Sequence, residues 1–313
     1  MTTAAQEAFL RGFHAAYPAV TSRTLGGGRS DDDRSGYEIL RDRVAGATRV
    51  LDLGCGDGHL LELLATATAT ATATVIDTTS ASASAAASAH APAPSTASAH
   101  APAPTRRLAG ADLSRADLAL ARRRPALAGA VLVECRAQEL PFADGSFDAC
   151  VSHMALMLMG DIERVVAELA RVLAPGATLA VAVGGGAAGG EAYELFVDLV
   201  RRRLAAEPGG GTIPALGDRK ARSREGLDGL LTPAGFTPVD WETVRIDLSA
   251  PLDEVWDRLS GTYDLGPLGP ADRAALRAAF HTAAARITAP DGITPCAMNL
   301  RVATARRTGR QAP

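Results

Sequence analysis

The run RVLDLGCGDG, from Arg49 to Gly58, decides the reading of this chain. Its first part, RVLDLGC (49–55), is a Val- and Leu-rich stretch ending in glycines, the pattern of a strand buried in a parallel sheet. Glycines then alternate at 54, 56 and 58, where the backbone must turn sharply and let a ligand approach without a Cβ in the way. HLLELLA (59–65) follows as a short helix. A dinucleotide fingerprint would demand a third glycine at 59, where this chain has His59, and a P-loop would need a Gly-Lys-Ser/Thr that is absent. A ligand without a pyrophosphate fits the loop better.

Outward from this run, strands and helices alternate. RLAGAD (107–112) reads as a strand, SRADLALARRR (114–124) as a helix stopped by Pro125, and AVLVECR (130–136) and FDACVSH (147–153) as further strands. DIERVVAELARVL (161–173) has apolar residues at 162, 165, 166, 169, 172 and 173, one face of a helix. Asp161 is its expected N-cap and Pro175-Gly176 its stop. TLAVAVGG (178–185) is a fifth strand, with a helix near 191–205. Five such alternations predict a parallel sheet covered on both faces. Farther on, 206–224 reads as a long connection, and VDWETVRIDL (239–248) and CAMNLRVATAR (296–306) as two strands separated by helical material at 252–260 and 271–287.

One segment stands apart. Residues 66–105 are built of Ala, Thr, Ser and Pro, with Asp77 as their only formal charge and SAHAPAP at both 88–94 and 98–104. Such a composition buries too little apolar area to offset ordering, so a disordered insert is expected. His90 and His100 lie ten apart within it, without neighbouring carboxylates or thiols to complete a metal site.

The motif LDLGCGDG resembles the first motif of the class I S-adenosylmethionine-dependent methyltransferases. The resemblance continues in order through GADLSRADLALAR (110–122), RAQELPFADGSFDACVSHMAL (136–156) and ARVLAPGATLAV (170–181), covering about 49–185. It implies an α/β fold: a Rossmann-like, doubly wound, mostly parallel seven-stranded sheet with helical cover at both ends. Residues 1–48 are then N-terminal cover with two short helices around GGGRSDDDRSG. Residues 49–306 are the methyltransferase domain, carrying the insert 66–105 and C-terminal cover helices within 251–288, and 307–313 are a tail. The implied cofactor is S-adenosyl-L-methionine, lined by Gly54, Cys55, Gly56 and Gly58. Asp112 would grip both ribose hydroxyls, Leu113 would lie against the adenine, and Ala137 and Gln138 would meet its edge. The aspartate that the family often carries before that alanine is replaced by Arg136. Asp52 is placed near the methionine amino group, or else holds the loop's own amides. Asp77 is a rival to Asp112, but no helix pattern follows it. Within the family, the LPF…GSFD pattern resembles the branch of quinone C-methyltransferases and natural-product tailoring enzymes.

Methyl transfer is an in-line displacement that gains much from alignment, and needs a base only where the acceptor loses a proton. His153 is the catalytic candidate, because it ends the fourth strand at the sheet's carboxyl edge; the alternative is a histidine filling the loop or touching the cofactor. His14, Tyr17, Tyr37, Trp256, Tyr263 and His281 lie in the covering segments, where each can line the pocket or simply pack, and His59 reads as structural.

Composition narrows the partners. With 32 Lys+Arg against 35 Asp+Glu the net charge is −3, and aromatics are 4% of the 313 residues, so no footprint for a nucleic-acid backbone exists. The segment after the fourth strand, Ser152-His153-Met154-Ala155, also lacks the Pro-Pro-aromatic pattern common in methylation of exocyclic amines. Cys55, Cys135, Cys150 and Cys296 are scattered without Cys-x-x-Cys spacing, so neither a zinc site nor a disulfide framework is expected, and no metal. Glu7 and Arg11 interrupt any signal-peptide core, and no run approaches a membrane span. The expectation is a cytoplasmic enzyme acting on a small molecule, with no nucleic-acid or membrane partner and an oligomeric state the sequence leaves open. Two other classes remain: a methyltransferase-like protein that binds the cofactor without transfer, such as a pericyclase or scaffold, and a nucleic-acid methyltransferase.

Overall fold

In the computed structural model, residues 2–67, 106–189, 191–206, 215–266 and 268–308 are described. Most of the low-complexity insert, with Asp77, His90 and His100, lies outside the described residues.

Strand β1 (Arg49–Leu53) explains why the sheet is covered on two sides. Alternate residues of a strand point to opposite faces, and here Val50 joins one hydrophobic cluster while Leu51 and Leu53 join the other. Beside β1 lie β2 (Arg107–Asp112) and β3 (Val131–Glu134) on one side, and β4 (Phe147–His153) and β5 (Leu173–Ala187) on the other. These five strands are parallel. Then β6 (Asp240–Asp247) and, beyond the two-residue strands β7 (Ala250–Pro251) and β8 (Ile293–Thr294), β9 (Ala297–Arg306) complete the sheet. The order is β3-β2-β1-β4-β5-β9-β6, with β9 antiparallel to both neighbours. The mostly parallel, doubly wound, seven-stranded sheet expected from the sequence is therefore present. Chain order reverses between β1 and β4, so the crevice for a ligand opens at their carboxyl ends.

One face is packed by α6 (Ile162–Val172) and α8 (Arg224–Leu231), the other by α3 (Gly36–Arg43), helical residues 59–67 (α4), α7 (Ala192–Ala205), α9 (Leu252–Leu259) and α10 (Pro270–Ala284). The apolar face read for α6 is buried at Ile162, Val165, Val166, Leu169 and Val172. Asp161, however, does not cap it: its φ of 52° is left-handed, whereas a capping side chain needs an extended backbone. Ser114 does cap α5 (Arg115–Ala121), accepting from the Asp117 amide.

Other boundaries differ for local reasons. Between β3 and β4 the described residues hold no α-helix, so the alternation breaks once; Pro141 and Gly145 interrupt that segment. Strand β5 starts at Leu173 rather than 178, because a register shift between Phe147 and Ala149 accommodates Pro175 at an irregularity. The N-terminal cover has three helices rather than two: α1 (Thr3–Ala16), α2 (Val20–Leu25) and α3, the last started by a Ser35/Glu38 capping box. Helix α8 was not anticipated within the C-terminal third, although Ser223 caps it and Leu227, Leu230 and Leu231 give it a buried face. Among the described residues, no helix is long and apolar enough to cross a membrane.

Candidate active site

A cavity of about 1120 Å³, mouth included, opens where β1, β2 and β4 end. Its floor is the glycine loop. Gly54 takes φ +77°, and a Cβ there would stand 2.2 Å from that of Ala155. Gly56 takes φ +52°, and its Cβ would enter open space, so its backbone forms a bare cradle. Gly58 corrects the sequence assignment. It does not line the cavity; a Cβ at that position would meet Leu127 at 2.7 Å and Ala121 at 3.0 Å, so it serves packing.

Asp112, at the end of β2, ties the floor together. Its Oδ2 accepts from the Gly56 amide and its Oδ1 from the Ser114 amide, each at 2.7 Å. Burial pushes this carboxyl upward, and the two amides oppose it. Each oxygen keeps a second lone pair for a ligand hydroxyl. Asp52 is the opposite case: 1% exposed, with Oδ2 lacking any partner among the described residues. Burial, then the nearby Asp112 and Asp57, drive its carboxyl well above the usual range. An orphaned buried carboxyl is costly, and one facing this cavity suits a cationic or donating ligand group. The bare Gly56 backbone, the two carboxylates and the cavity thus fit the amino, ribose and adenine parts of S-adenosylmethionine.

Leu113, Ala137 and Gln138 line the cavity beside Asp112. The Gln138 amide donates to the Gly160 carbonyl at 2.6 Å, which fixes its side chain and leaves the oxygen as its other polar atom. Cys55 lines the cavity too, and burial raises its thiol well above the ordinary range. Cys135, unremarked in the sequence as a site residue, joins it, with burial and Asp112 pushing its thiol up to about 11. Neither is a thiolate nucleophile at neutral pH.

His153 ends β4 as expected and lines the cavity, 6% exposed. Its ring stacks on Tyr37 with centroids 3.8 Å apart, and Tyr37 meets His59 edge-on at 4.7 Å. Burial, aided by His59, lowers the His153 pKa to about 3, so the imidazole is neutral at pH 7, with a buried Nδ1 lacking a partner among the described residues.

The roof comes from segments far away in sequence. Of the covering residues weighed, His14, Tyr37 and Tyr263 line the cavity; Tyr17, Trp256 and His281 do not. Trp256 packs against Phe196 and Phe280 instead. Three further residues of α1 had gone unread as pocket residues. Gln6 accepts from the Gly217 amide at 3.1 Å. Glu7 pairs with Arg136 at 2.8 Å. Arg11 donates to the Leu113 carbonyl at 2.7 Å. The available signal was the spacing of Glu7, Arg11 and His14, which puts them on one stripe of α1; in isolation such a stripe reads as a solvated face. No cluster of three metal-ligating side chains occurs among the described residues.

Residues 94–181 match a family model described as a methyltransferase domain, and residues 34–88 match one described as the methionine biosynthesis protein MetW. Over 76 residues the chain is 41% identical to the demethylmenaquinone methyltransferase of Thermus thermophilus. That stretch is 24% of this chain and spans about a third (34%) of that protein's length. Among solved structures, the [4+2]-cyclase SpnF aligns with a TM-score of 0.52 at 20% identity, covering 95% of this chain and 94% of that one. The YcgJ protein of Bacillus subtilis gives 0.50 at 15%, covering 88% and 98%. Phosphoethanolamine N-methyltransferase 2 of Haemonchus contortus gives 0.50 at 16%, covering 96% of this chain and 60% of its own. At these identities the structural likeness is one of fold.

Proposed function

From a chain that carries a class I S-adenosylmethionine-dependent methyltransferase domain, we propose a transferase that methylates a small-molecule acceptor, at oxygen, nitrogen or carbon, in secondary metabolism. The observation that carries the small-molecule assignment is the roof: residues of α1 and Tyr263 line the same cavity as the glycine loop. A net charge of −3 gives no attraction for a polyanion. The LPF…GSFD pattern supports the natural-product branch.

When bound, the cofactor supplies a methyl group on a positively charged sulfur. The chain's part is to hold both partners in line and keep water out. Asp112 receives the ribose hydroxyls, Leu113, Ala137 and Gln138 frame the adenine, and Asp52 faces the amino group, its orphaned oxygen satisfied by that donor. Gly54, Cys55 and Gly56 give the backbone close approach. His153, neutral and stacked on Tyr37, orients the acceptor and offers an imidazole lone pair to its proton. A pKa near 3 makes it a weak base, so orientation is the larger share of its task.

The test is incubation with methyl-labelled S-adenosylmethionine and an extract of the source cells, followed by separation of small molecules, protein and nucleic acid. Label in a new small molecule is the expected result. Label in protein or nucleic acid overturns it. If a panel of acceptor-rich extracts yields no label from a chain that binds the cofactor, the non-transferring reading takes its place.

A further inference from the structure

His14, Asp117 and Tyr263 come from three separate parts of the chain and meet at the cavity wall. His14 lies in the last turn of α1, Asp117 in the first turn of α5, and Tyr263 in a short turn, Tyr263–Leu265, between α9 and α10. His14 Nδ1 stands 2.7 Å from Asp117 Oδ2, and His14 Nε2 2.8 Å from Tyr263 Oη. Asp117 has a side chain only 1% exposed, and its Oδ1 accepts from the Ala19 amide at 2.6 Å. Burial works against its ionisation, but His14 and the Ala19 amide hold the carboxyl below the ordinary range.

In the tautomer that carries its proton on Nδ1, facing Asp117 Oδ2, His14 keeps a lone pair on Nε2. Tyr263 then donates to Nε2. Its phenol stays protonated, because burial and the charges of Asp112 and Asp117 push it upward. The donation fixes the hydroxyl rotor and leaves the lone pairs of Oη free for a donor in the cavity.

Packing alone does not call for this arrangement. The Phe13 ring lies 4.6 Å from that of Tyr263, and Gly266 abuts Phe9, so apolar contacts already join the two covers. A buried carboxylate costs desolvation that such a contact does not require, offset here by the Ala19 amide and by His14. Position indicates which part of the ligand. Tyr263, His14 and Asp112 line one cavity, and Asp117 is tied to Asp112 through Ser114, whose hydroxyl accepts from the Asp117 amide and whose own amide donates to Asp112. This is the end that the proposed function assigns to the ribose.

We propose that Tyr263 Oη accepts a hydrogen bond from a ribose hydroxyl of the cofactor, with His14 and Asp117 as the positioning residues that aim it. The inference rests on the reading of the cavity as a cofactor site. It makes the docking of both covers part of cofactor recognition rather than mere shielding.

Calorimetric binding of S-adenosylhomocysteine and of its 2′-deoxy and 3′-deoxy analogues tests it, on wild type and Tyr263→Phe, which keeps the ring contact with Phe13. For S-adenosylhomocysteine the variant is expected to lose about three- to tenfold in affinity, the worth of one neutral hydrogen bond. For one of the two deoxy analogues, wild type and variant should bind alike. An equal loss for all three ligands, or no loss for any, overturns the inference while leaving the cofactor reading intact. A wild type that does not bind S-adenosylhomocysteine overturns the cofactor reading and this inference with it. If Tyr263→Phe does not fold, His14→Gln takes the same three-ligand comparison, with the same outcomes deciding.

Discussion

Tyr37 and His153 stack with ring planes 24° apart and centroids separated by 3.8 Å, one on a cover helix and the other at the end of a central strand. The contact buries an imidazole that has no charged partner, and this gives the protein a definite acid sensitivity. Folding lowers the His153 pKa from 6.5 to about 3.

Between those values the unfolded chain holds a proton at this site that the folded chain rejects. Stability contributed by His153 is therefore present above pH 6.5 and is lost as pH falls. The loss amounts to about 2 kcal/mol between pH 7 and pH 5, within the limit of about 1.4 kcal/mol per pH unit for one group. In His153→Asn this dependence disappears. Urea unfolding at the two pH values should show the variant starting less stable at pH 7, for want of the stacked ring, yet falling less steeply. Equal slopes would mean that His153 is protonated in the fold.

Asp52 has the opposite sign. Its folded pKa is raised, so above the ordinary carboxylate value the folded chain keeps a proton the unfolded chain has released, and stability falls as pH rises. Asp52→Asn removes this titration, so the ligand-free variant should hold its stability better than wild type as pH rises above the ordinary carboxylate range. The same change should weaken S-adenosylhomocysteine binding at least tenfold, at about 1.4 kcal/mol per decade. Thermal melts and calorimetry read the two effects separately. A lower melting temperature with unchanged binding would make Asp52 a purely structural acid.

Asp112→Ala tests the other carboxylate. It removes the acceptor for both the Gly56 and Ser114 amides, so destabilisation of about 1–3 kcal/mol should accompany at least a tenfold loss of cofactor affinity. Asp112→Asn keeps one acceptor and should restore part of the stability but little of the affinity, since its amide nitrogen cannot accept a hydroxyl. Full affinity in the asparagine variant would show that the carboxylate only braces the loop.

What could be read from the sequence follows from locality. Val50, Leu51 and Leu53 declare a strand buried on both faces, and the apolar stripe of α6 declares its inward side; both signals lie within a dozen residues. The floor of the site was legible for the same reason, because Asp52, Gly54 and Gly56 belong to one turn. Asp112 was legible because its motif adjoins the helix that Ser114 caps. Gly58 was misplaced because a glycine needed for packing against Leu127 looks like a glycine needed for a ligand. The roof was legible as cover, with His14, Tyr37 and Tyr263 among its candidates, but its contacts were not. Glu7, Arg11 and His14 find Arg136, Leu113 and Asp117 more than a hundred residues away, and no local pattern distinguishes a docked polar stripe from a wet one.

Arg106 bears on the insert. Its Nε donates to the Ala47 carbonyl at 2.9 Å, Nη1 to that of Leu64 at 3.0 Å, and Nη2 to that of Ala45 at 2.6 Å. One side chain thereby fastens the start of β2 to helical residues 59–67 and to the turn before β1, so the two points where the insert leaves and rejoins the domain are already held close. Loop-closure entropy grows only about 0.6 kcal/mol for each doubling of length, so shortening the connection changes little so long as this fastening stays. Replacing 68–105 by a Gly/Ser link of some eight residues should leave the melting temperature within a few degrees and S-adenosylhomocysteine affinity within about twofold. Arg106→Ala should cost more stability than the whole deletion, since it strips the half-buried Ala47 and the buried Leu64 carbonyls of a donor. A deletion that folds but no longer binds S-adenosylhomocysteine would place part of the insert in the site; a deletion less stable than Arg106→Ala would show that the insert, and not the arginine, holds the two ends together.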